Sequence, residues 1–161
     1  MILWTTGKKP VFGKEVQLMG KVRNILQGKG NAVIFVSPET TVFEALELMF
    51  EKNIGALLVM EQDKYVGIFT ERDYARKVIL KGKASKEIPI REIMTENSLS
   101  VCSDTTIEEC MWLMTNKFIR HLPVIDDGKL VGIISIGDVV KYIIEEQKFI
   151  IGNLEHYITG T

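Results

Sequence analysis

The 161-residue sequence predicts an α+β fold in which two β-α-β-β-α repeats pack with pseudo-two-fold symmetry into one module. The first observation behind this prediction is an internal repeat, because residues 36–73 align with residues 101–138 without a gap. The second is that both copies carry the same order of strand-like and helix-like segments. A single copy would leave one apolar face of its sheet uncovered, so we expect the two copies to bury these faces together.

Each copy begins with a short strand and an amphipathic helix. In the first copy, residues 33–36 form a β-rich run that ends at a Ser-Pro pair. Thr41 and Glu44 then match a capping box, in which the hydroxyl caps the helix and the carboxylate reaches back. Apolar residues follow at helical spacing. Thr106 and Glu109 repeat the same pattern in the second copy.

A hairpin and a closing helix complete each copy. The hairpin strands are predicted at residues 56–60 and 65–69, and again at residues 122–125 and 130–134. Asp127-Gly128 in the second turn supplies residues that tolerate positive φ. The closing helices are expected over residues 71–80 and from Gly137 to about residue 150.

The repeat divides the chain into five segments. Residues 1–19 precede the repeat as an extension or tag, and residues 147–161 follow it as a tail whose Leu154, Tyr157 and Ile158 suit a short helix. The first repeat covers residues 20–80 and the second covers residues 90–146. The polar residues 81–89 are interpreted as the linker between them.

Composition and charge exclude several classes of partner. The formal net charge is −1, so the basic excess typical of nucleic-acid-binding domains is missing and nucleic acid is an unlikely partner. The longest apolar runs, such as residues 130–136, are too short to cross a bilayer, so no membrane association is expected. We expect the protein to be cytoplasmic, since the N-terminus lacks the apolar core of a signal peptide, and a weak organelle presequence is the alternative interpretation of this segment.

Neither a catalytic centre nor a metal site is predicted. Cys102 and Cys110 are too few for a disulfide framework or a four-ligand metal site. His121 and Cys102 lie in no recognisable base–nucleophile context, and no Walker-type loop occurs. We therefore expect a protein that is not an enzyme. Cys110 falls on the apolar stripe of a helix, where it is expected to be a small buried side chain.

Two runs of residues resemble a known family. Residues 67–73 (Gly-Ile-Phe-Thr-Glu-Arg-Asp) and 132–138 (Gly-Ile-Ile-Ser-Ile-Gly-Asp) resemble the Gly-hydrophobic-x-Thr/Ser-x-x-Asp signature of cystathionine-β-synthase (CBS) domains. Residues 93–95 resemble the opening of such a domain, and residues 120–124 resemble the segment before its hairpin. The similarity covers roughly residues 20–145, and a doubled motif at constant spacing is specific. The chain thus resembles a stand-alone tandem CBS pair, a Bateman-type module.

The resemblance implies a regulatory function. Small CBS pairs without an attached enzyme are associated with sensing adenine nucleotides, so AMP, ADP, ATP or NAD is expected between the two repeats. S-adenosylmethionine is a less favoured ligand. Without an output domain, such a sensor acts in trans on an effector protein that the sequence does not identify. The resemblance also implies a homodimer formed through helices. The alternative is a ligand-independent interaction module, for example a regulator of a redox enzyme.

The candidate nucleotide contacts centre on the two strand-to-helix corners. In the family, the Thr/Ser hydroxyl of the motif contacts phosphate and the Asp carboxylate contacts the ribose diol, which assigns these roles to Thr70 and Asp73, and to Ser135 and Asp138. Arg72 and Arg76 lie four residues apart and suit phosphate oxygens. The remaining candidates are Thr40, Ile54, Ala56, Thr105, Ile119, Arg120, His121 and Pro123.

The same motif has a second interpretation that involves no ligand. Thr70 with Asp73, and Ser135 with Asp138, also fit helix caps. A duplicated fold duplicates its caps, so the repetition favours neither interpretation. The copies differ in charge, because Arg120 stands where the first copy has Gly55. Two non-equivalent sites are therefore expected if ligands bind.

Overall fold

The computed structural model describes residues 20–160. The helices are α1 (Val22–Lys29), α2 (Val42–Lys52), α3 (Glu71–Lys77), α4 (Ile107–Asn116) and α5 (Ile136–Thr159). The strands are β1 (Phe35–Val36), β2 (Ala56–Glu61), β3 (Lys64–Thr70), β4 (His121–Asp126) and β5 (Lys129–Ser135). Short 3₁₀ turns occur at Ile79–Lys81 and Ile90–Glu92. The order of elements is the predicted α+β repeat, and the predicted extension at residues 1–19 lies outside the described residues.

The two copies differ in the size of their sheets. In the first copy, β1 pairs parallel with β2, and β2 pairs antiparallel with β3. In the second copy, β4 and β5 pair antiparallel, and the opening strand expected there is a single bridge between Val101 and Val124. The expected strand ends at once because the Cys102 amide donates to Thr105 Oγ1 (3.1 Å), which folds the chain into a turn.

The local sequence chemistry produces the predicted turns and caps. Asp127 and Gly128 have φ values of 49° and 76°, the two positive values that a type I′ hairpin turn requires. The Glu44 amide donates to Thr41 Oγ1 (3.2 Å) at the start of α2. The reciprocal bond from the Thr41 amide to the Glu44 carboxylate closes the capping box (2.9 Å). The second copy caps α4 in the same way.

The first segment of each repeat packs against the core of the other repeat. Core 2 contains the three buried residues of α1 together with residues from α4, β4 and β5: Val22, Ile25, Leu26, Ile107, Cys110, Leu122 and Ile134. Core 1 contains the equivalent segment of the second repeat with α2, β2 and β3: Ile90, Ile93, Met94, Val42, Leu57 and Phe69. This exchange ties the two copies into one module.

The motif glycines make this exchange possible. A Cβ atom on Gly132 would lie 2.8 Å from Leu26 Cδ2 of α1. A Cβ atom on Gly67 would lie 3.0 Å from both Met94 Sδ and the Thr95 carbonyl oxygen. The first residue of each CBS-like motif is therefore glycine because a crossing segment passes directly over the strand. A third apolar cluster, which includes Ile68 and Ile133, joins the two sheets.

The closing helices and the connecting segment depart from their predicted lengths. The helix expected over residues 71–80 ends at Lys77, and the fully buried Val78 separates it from the 3₁₀ turn at Ile79–Lys81. In contrast, α5 continues without a break from Ile136 to Thr159, through the residues assigned to a separate tail. The segment at 81–89 is docked, since the Ile88 carbonyl accepts the Val42 amide (2.9 Å) at the start of α2.

The buried thiol of Cys110 lies in core 2 as expected, and burial raises its pKa to about 12.

Among residues 20–160, none of the helices combines the length and apolarity that crossing a bilayer requires.

Candidate functional site

A cavity of about 320 Å³ opens where the end of β3 faces the segment between α4 and β4. The first copy contributes the strand-to-helix corner, and the second contributes residues 117–121. We call this cavity the Thr70 pocket. It is lined by Gly55, Ile68, Thr70, Glu71, Arg72, Asp73, Arg76, Thr95, Ser98, Leu99, Lys117, Phe118, Ile119, Arg120 and His121. The cavity therefore lies between the repeats, where the family resemblance leads us to expect a ligand.

Thr70 and Asp73 form a helix cap. Asp73 Oδ2 accepts the Thr70 amide (3.0 Å) and the Thr70 hydroxyl (2.9 Å). Asp73 Oδ1 accepts the Thr95 hydroxyl (3.0 Å) and pairs with Lys77 Nζ (2.8 Å). The residue is 9% exposed, and these four partners use the acceptor capacity of its carboxylate. The cap interpretation is therefore realised at this corner, and the carboxylate can contact a ligand only by exchanging one of these partners.

Ser135 and Asp138 form a second cap with a different partner. Asp138 Oδ2 accepts the Ser135 amide (2.8 Å) and the Lys29 ammonium (2.7 Å). Burial by itself would raise the pKa of Asp138, but the Lys29 contact and the bond from the Ser135 amide hold this pKa below its ordinary value. The corner of the second copy thus carries an internal cation.

Positive charge dominates the lining of the Thr70 pocket. Arg72, Arg76, Lys117 and Arg120 line it, against the acidic Glu71 and Asp73. Arg72 donates to the Phe118 carbonyl oxygen across the cleft between the copies. Within residues 20–160, no ion pair involves Arg76, Lys117 or Arg120. Three cations that line one cavity are chemically suited to hold an anion.

His121 lies between the two corners. It lines the Thr70 pocket, and a Cβ atom on Gly55 would lie 3.5 Å from its Cε1. Burial lowers the pKa of His121, and the nearby Asp138 charge only partly opposes this effect. Lys29 and Arg120 lower the pKa of His121 further. The imidazole is therefore held in its neutral form, which can both donate and accept a hydrogen bond.

The other sequence candidates lie away from the Thr70 pocket. Thr40 Oγ1 contacts Ser37 Oγ (3.4 Å), and Thr105 Oγ1 accepts the Cys102 amide, so both side chains stabilise turns. Ala56 is buried in the cluster between the sheets. Pro123 lies in β4, where its carbonyl accepts the Val101 amide (3.0 Å). Ile54 lines a separate cavity beside α2.

Several lining residues were not among the candidates predicted from the sequence. Thr95 ends the domain-opening run at residues 93–95, and Ser98 and Leu99 follow that run, so the motif was an available signal for all three. Lys117 and Phe118 immediately precede the predicted Ile119. Phe118 has a φ of 54° and is 75% exposed, an unusual combination for a large apolar residue. No sequence pattern predicts the positive φ or the high exposure of Phe118.

Comparisons with known proteins agree with this architecture. The family model of the CBS domain matches residues 30–79 and 90–145. A mitochondrial CBS-domain-containing protein of Arabidopsis thaliana, CBSX3, is 37% identical over 148 residues, which cover 86% of this chain and 72% of that protein.

Solved structures with CBS domains superpose on most of the chain. A protein with CBS domains from Burkholderia ambifaria has a TM-score of 0.76 at 47% identity, covering 80% of this chain and 96% of that one. The structure of CBSX2 in complex with AMP has a TM-score of 0.64 at 31% identity, covering 79% and 98% of the two chains. The chain belongs to the CBS-domain family and carries two copies of the domain.

Proposed function

We propose that this protein is a non-catalytic regulator that binds an adenine nucleotide in the Thr70 pocket. The observation that carries the proposal is the set of three cations, Arg76, Lys117 and Arg120, that face the cavity without counter-ions among the described residues. These three side chains are exposed to solvent, so a phosphate that enters the cavity can reach them and be held by charge-assisted hydrogen bonds. The AMP complex of the related CBSX2 supports the same ligand class.

The cations suggest where the phosphate binds. Arg76 comes from α3 of the first copy, whereas Lys117 and Arg120 come from the segment after α4. A phosphate held between them would connect the two copies through charge-assisted hydrogen bonds. The cations take this role in our proposal because the Thr70 hydroxyl, to which the resemblance assigns the phosphate, already accepts the Asp73 amide (3.2 Å) and donates to Asp73 Oδ2 (2.9 Å).

The remaining lining provides a place for the base. Ile68, Leu99 and Ile119 supply an apolar wall, and the Ser98 hydroxyl supplies a polar contact. The cavity volume of about 320 Å³ lies near the lower end of small-molecule pockets, which favours a mononucleotide. S-adenosylmethionine fits less well, because its sulfonium would face the same cations.

Regulation would follow from binding across the two copies. A ligand that contacts both repeats favours one arrangement of the pair, and an effector protein could recognise that arrangement in trans. We also propose that two chains associate through α5, whose outward side carries exposed apolar residues. A cytoplasmic location remains our expectation, although the related CBSX3 is described as mitochondrial.

The first test is calorimetric titration with AMP, ADP, ATP, NAD and adenosine. The nucleotides should bind more tightly than adenosine, since adenosine lacks the phosphate that the cations recognise. Arg76→Met and Arg120→Met should each weaken AMP binding about tenfold or more, the loss expected for one charge-assisted hydrogen bond.

Arg23→Met is the matched control, because Arg23 pairs with Asp104 and does not line the pocket. Its AMP affinity should equal that of the unmodified protein. Absence of heat with every nucleotide at millimolar concentration would count against sensing. A partner protein captured equally with and without nucleotide would then favour the ligand-independent interaction module.

A further inference from the structure

The Ser135/Asp138 corner of the second copy is occupied by a side chain from α1. Lys29 Nζ donates to Asp138 Oδ2 (2.7 Å) and to the Ile133 carbonyl oxygen (2.8 Å). The side chains of Lys29 and Asp138 are 33% and 24% exposed, so the pair is partly shielded from water. One ammonium thus satisfies a carboxylate and a backbone carbonyl at the position equivalent to the Asp73 corner.

In the first copy, the capping aspartate pairs with a lysine from a different element. Lys77 pairs with Asp73 from the next turn of α3, so this lysine is fixed by its own helix. The equivalent position of α5 is Tyr142, which has no ammonium to offer. Lys29 instead reaches the corner from the last turn of α1 and is followed by Gly30, a helix-ending residue with a φ of 88°. Lys29 is attached to the end of α1 and not to α5, the helix that Ser135 and Asp138 cap. Lys29 can therefore leave the corner while the Thr70/Asp73 and Ser135/Asp138 caps stay intact.

We propose that Lys29 is a tethered competitor for the Ser135/Asp138 corner, and that a nucleotide binds there only by displacing it. This inference rests on the proposed nucleotide binding. The ammonium uses the acceptors that the hydroxyls of a ribose would otherwise contact. Displacement would free the end of α1, whose Val22, Ile25 and Leu26 belong to core 2. The second corner would therefore bind later than the first and report its occupancy through α1.

Site-resolved NMR can separate the two corners. The Thr70 and Ser135 amides each donate to the capping aspartate, so their chemical shifts report on the first and second corner respectively. In a titration of the full chain with AMP, the Thr70 amide should shift first. In Lys29→Met, the Ser135 amide should respond at roughly tenfold lower AMP concentration than in the unmodified protein.

Lys21→Met is the matched control, because Lys21 lies at the other end of α1 and pairs with Asp104 (3.0 Å). It removes the same charge, and the Ser135 response should stay unchanged. Lys29→Gln provides a second variant if Lys29→Met folds poorly, and an unaltered Thr70 titration verifies that either variant is folded.

The outcomes distinguish the two levels of the proposal. A Ser135 response at the same or a higher AMP concentration in both Lys29 variants, with the Thr70 response intact, would overturn the role of Lys29 alone. No response of either amide in any variant would overturn the nucleotide-binding proposal itself. Earlier saturation of Ser135 in the Lys29 variants only would support the competitor.

Discussion

At the scale of single residues, two aspartates with the same motif position have different surroundings. Asp73 is buried under Thr95 and Lys77, whereas Asp138 is more exposed and pairs with Lys29 from α1. Both accept the amide of the residue that caps their helix. Capping accounts for what the two corners share, and the neighbours of each carboxylate account for how their surroundings differ.

This difference predicts unequal losses of stability. Asp73→Ala removes a cap and leaves the Lys77 ammonium and the Thr95 hydroxyl without a shared acceptor, so the free energy of unfolding should fall by about 2 kcal/mol. Asp138→Ala removes a cap, and the released Lys29 can reach water, so the loss should be about 1 kcal/mol. Urea denaturation measures both values. A larger loss for Asp138→Ala would contradict this reading of the two corners.

At the scale of elements, α1 is held to the second copy by its fit over β5. Gly132→Ala would place a methyl group 2.8 Å from Leu26 Cδ2, so the buried Leu26 side chain, or α1 with it, has to shift. Overpacking of this kind should destabilise the fold by about 1–3 kcal/mol, as measured by thermal or urea unfolding.

A paired variant and a control make this prediction specific. Gly132→Ala should lower the free energy of unfolding less when Leu26 is already replaced by alanine than when Leu26 is present. A double-mutant cycle detects this difference as coupling between the two positions. Gly137→Ala is the control, because its Cβ would meet only Ser135 Oγ at 3.6 Å and alanine favours a helix. Additive losses at Gly132 and Leu26 would argue against the close approach.

The elements also show what the sequence can and cannot reveal. The hairpin turn at Asp127-Gly128 and the capping box at Thr41 follow from local chemistry, and both are present. The exchange of α1 is not readable locally, because an apolar stripe predicts that α1 is buried but does not indicate which core buries it. Lys117, which is not among the predicted candidates, is distant in sequence from the predicted Arg76, and the two line one cavity only because the copies pair.

At the scale of the whole molecule, α5 is longer than the body of the protein requires. Its 24 residues continue past the cores, and the C-terminal half exposes large apolar side chains. These residues are Phe149 (71%), Ile150 (42%), Ile151 (54%), Leu154 (56%), Tyr157 (87%) and Ile158 (80%). Further toward the N-terminus of α5, Ile136, Val140 and Ile144 line an open apolar groove. A helix that is apolar on its outward side is stable in water only when another surface covers it.

A second copy of the chain is the occupant we propose for this surface, since two α5 helices present the same apolar stripe to each other. Ile151→Glu places a charge in the centre of the exposed stripe, so the dimer should dissociate to monomers at micromolar concentration, as measured by light scattering after size-exclusion chromatography. Phe50→Glu is the matched control, because Phe50 is 90% exposed on α2 and its substitution should leave the mass unchanged. A monomeric unmodified protein, or a dimer that survives Ile151→Glu, would mean that α5 serves another surface. If the prediction holds, the effector protein recognises an arrangement of two CBS pairs, and each bound nucleotide acts on a dimer.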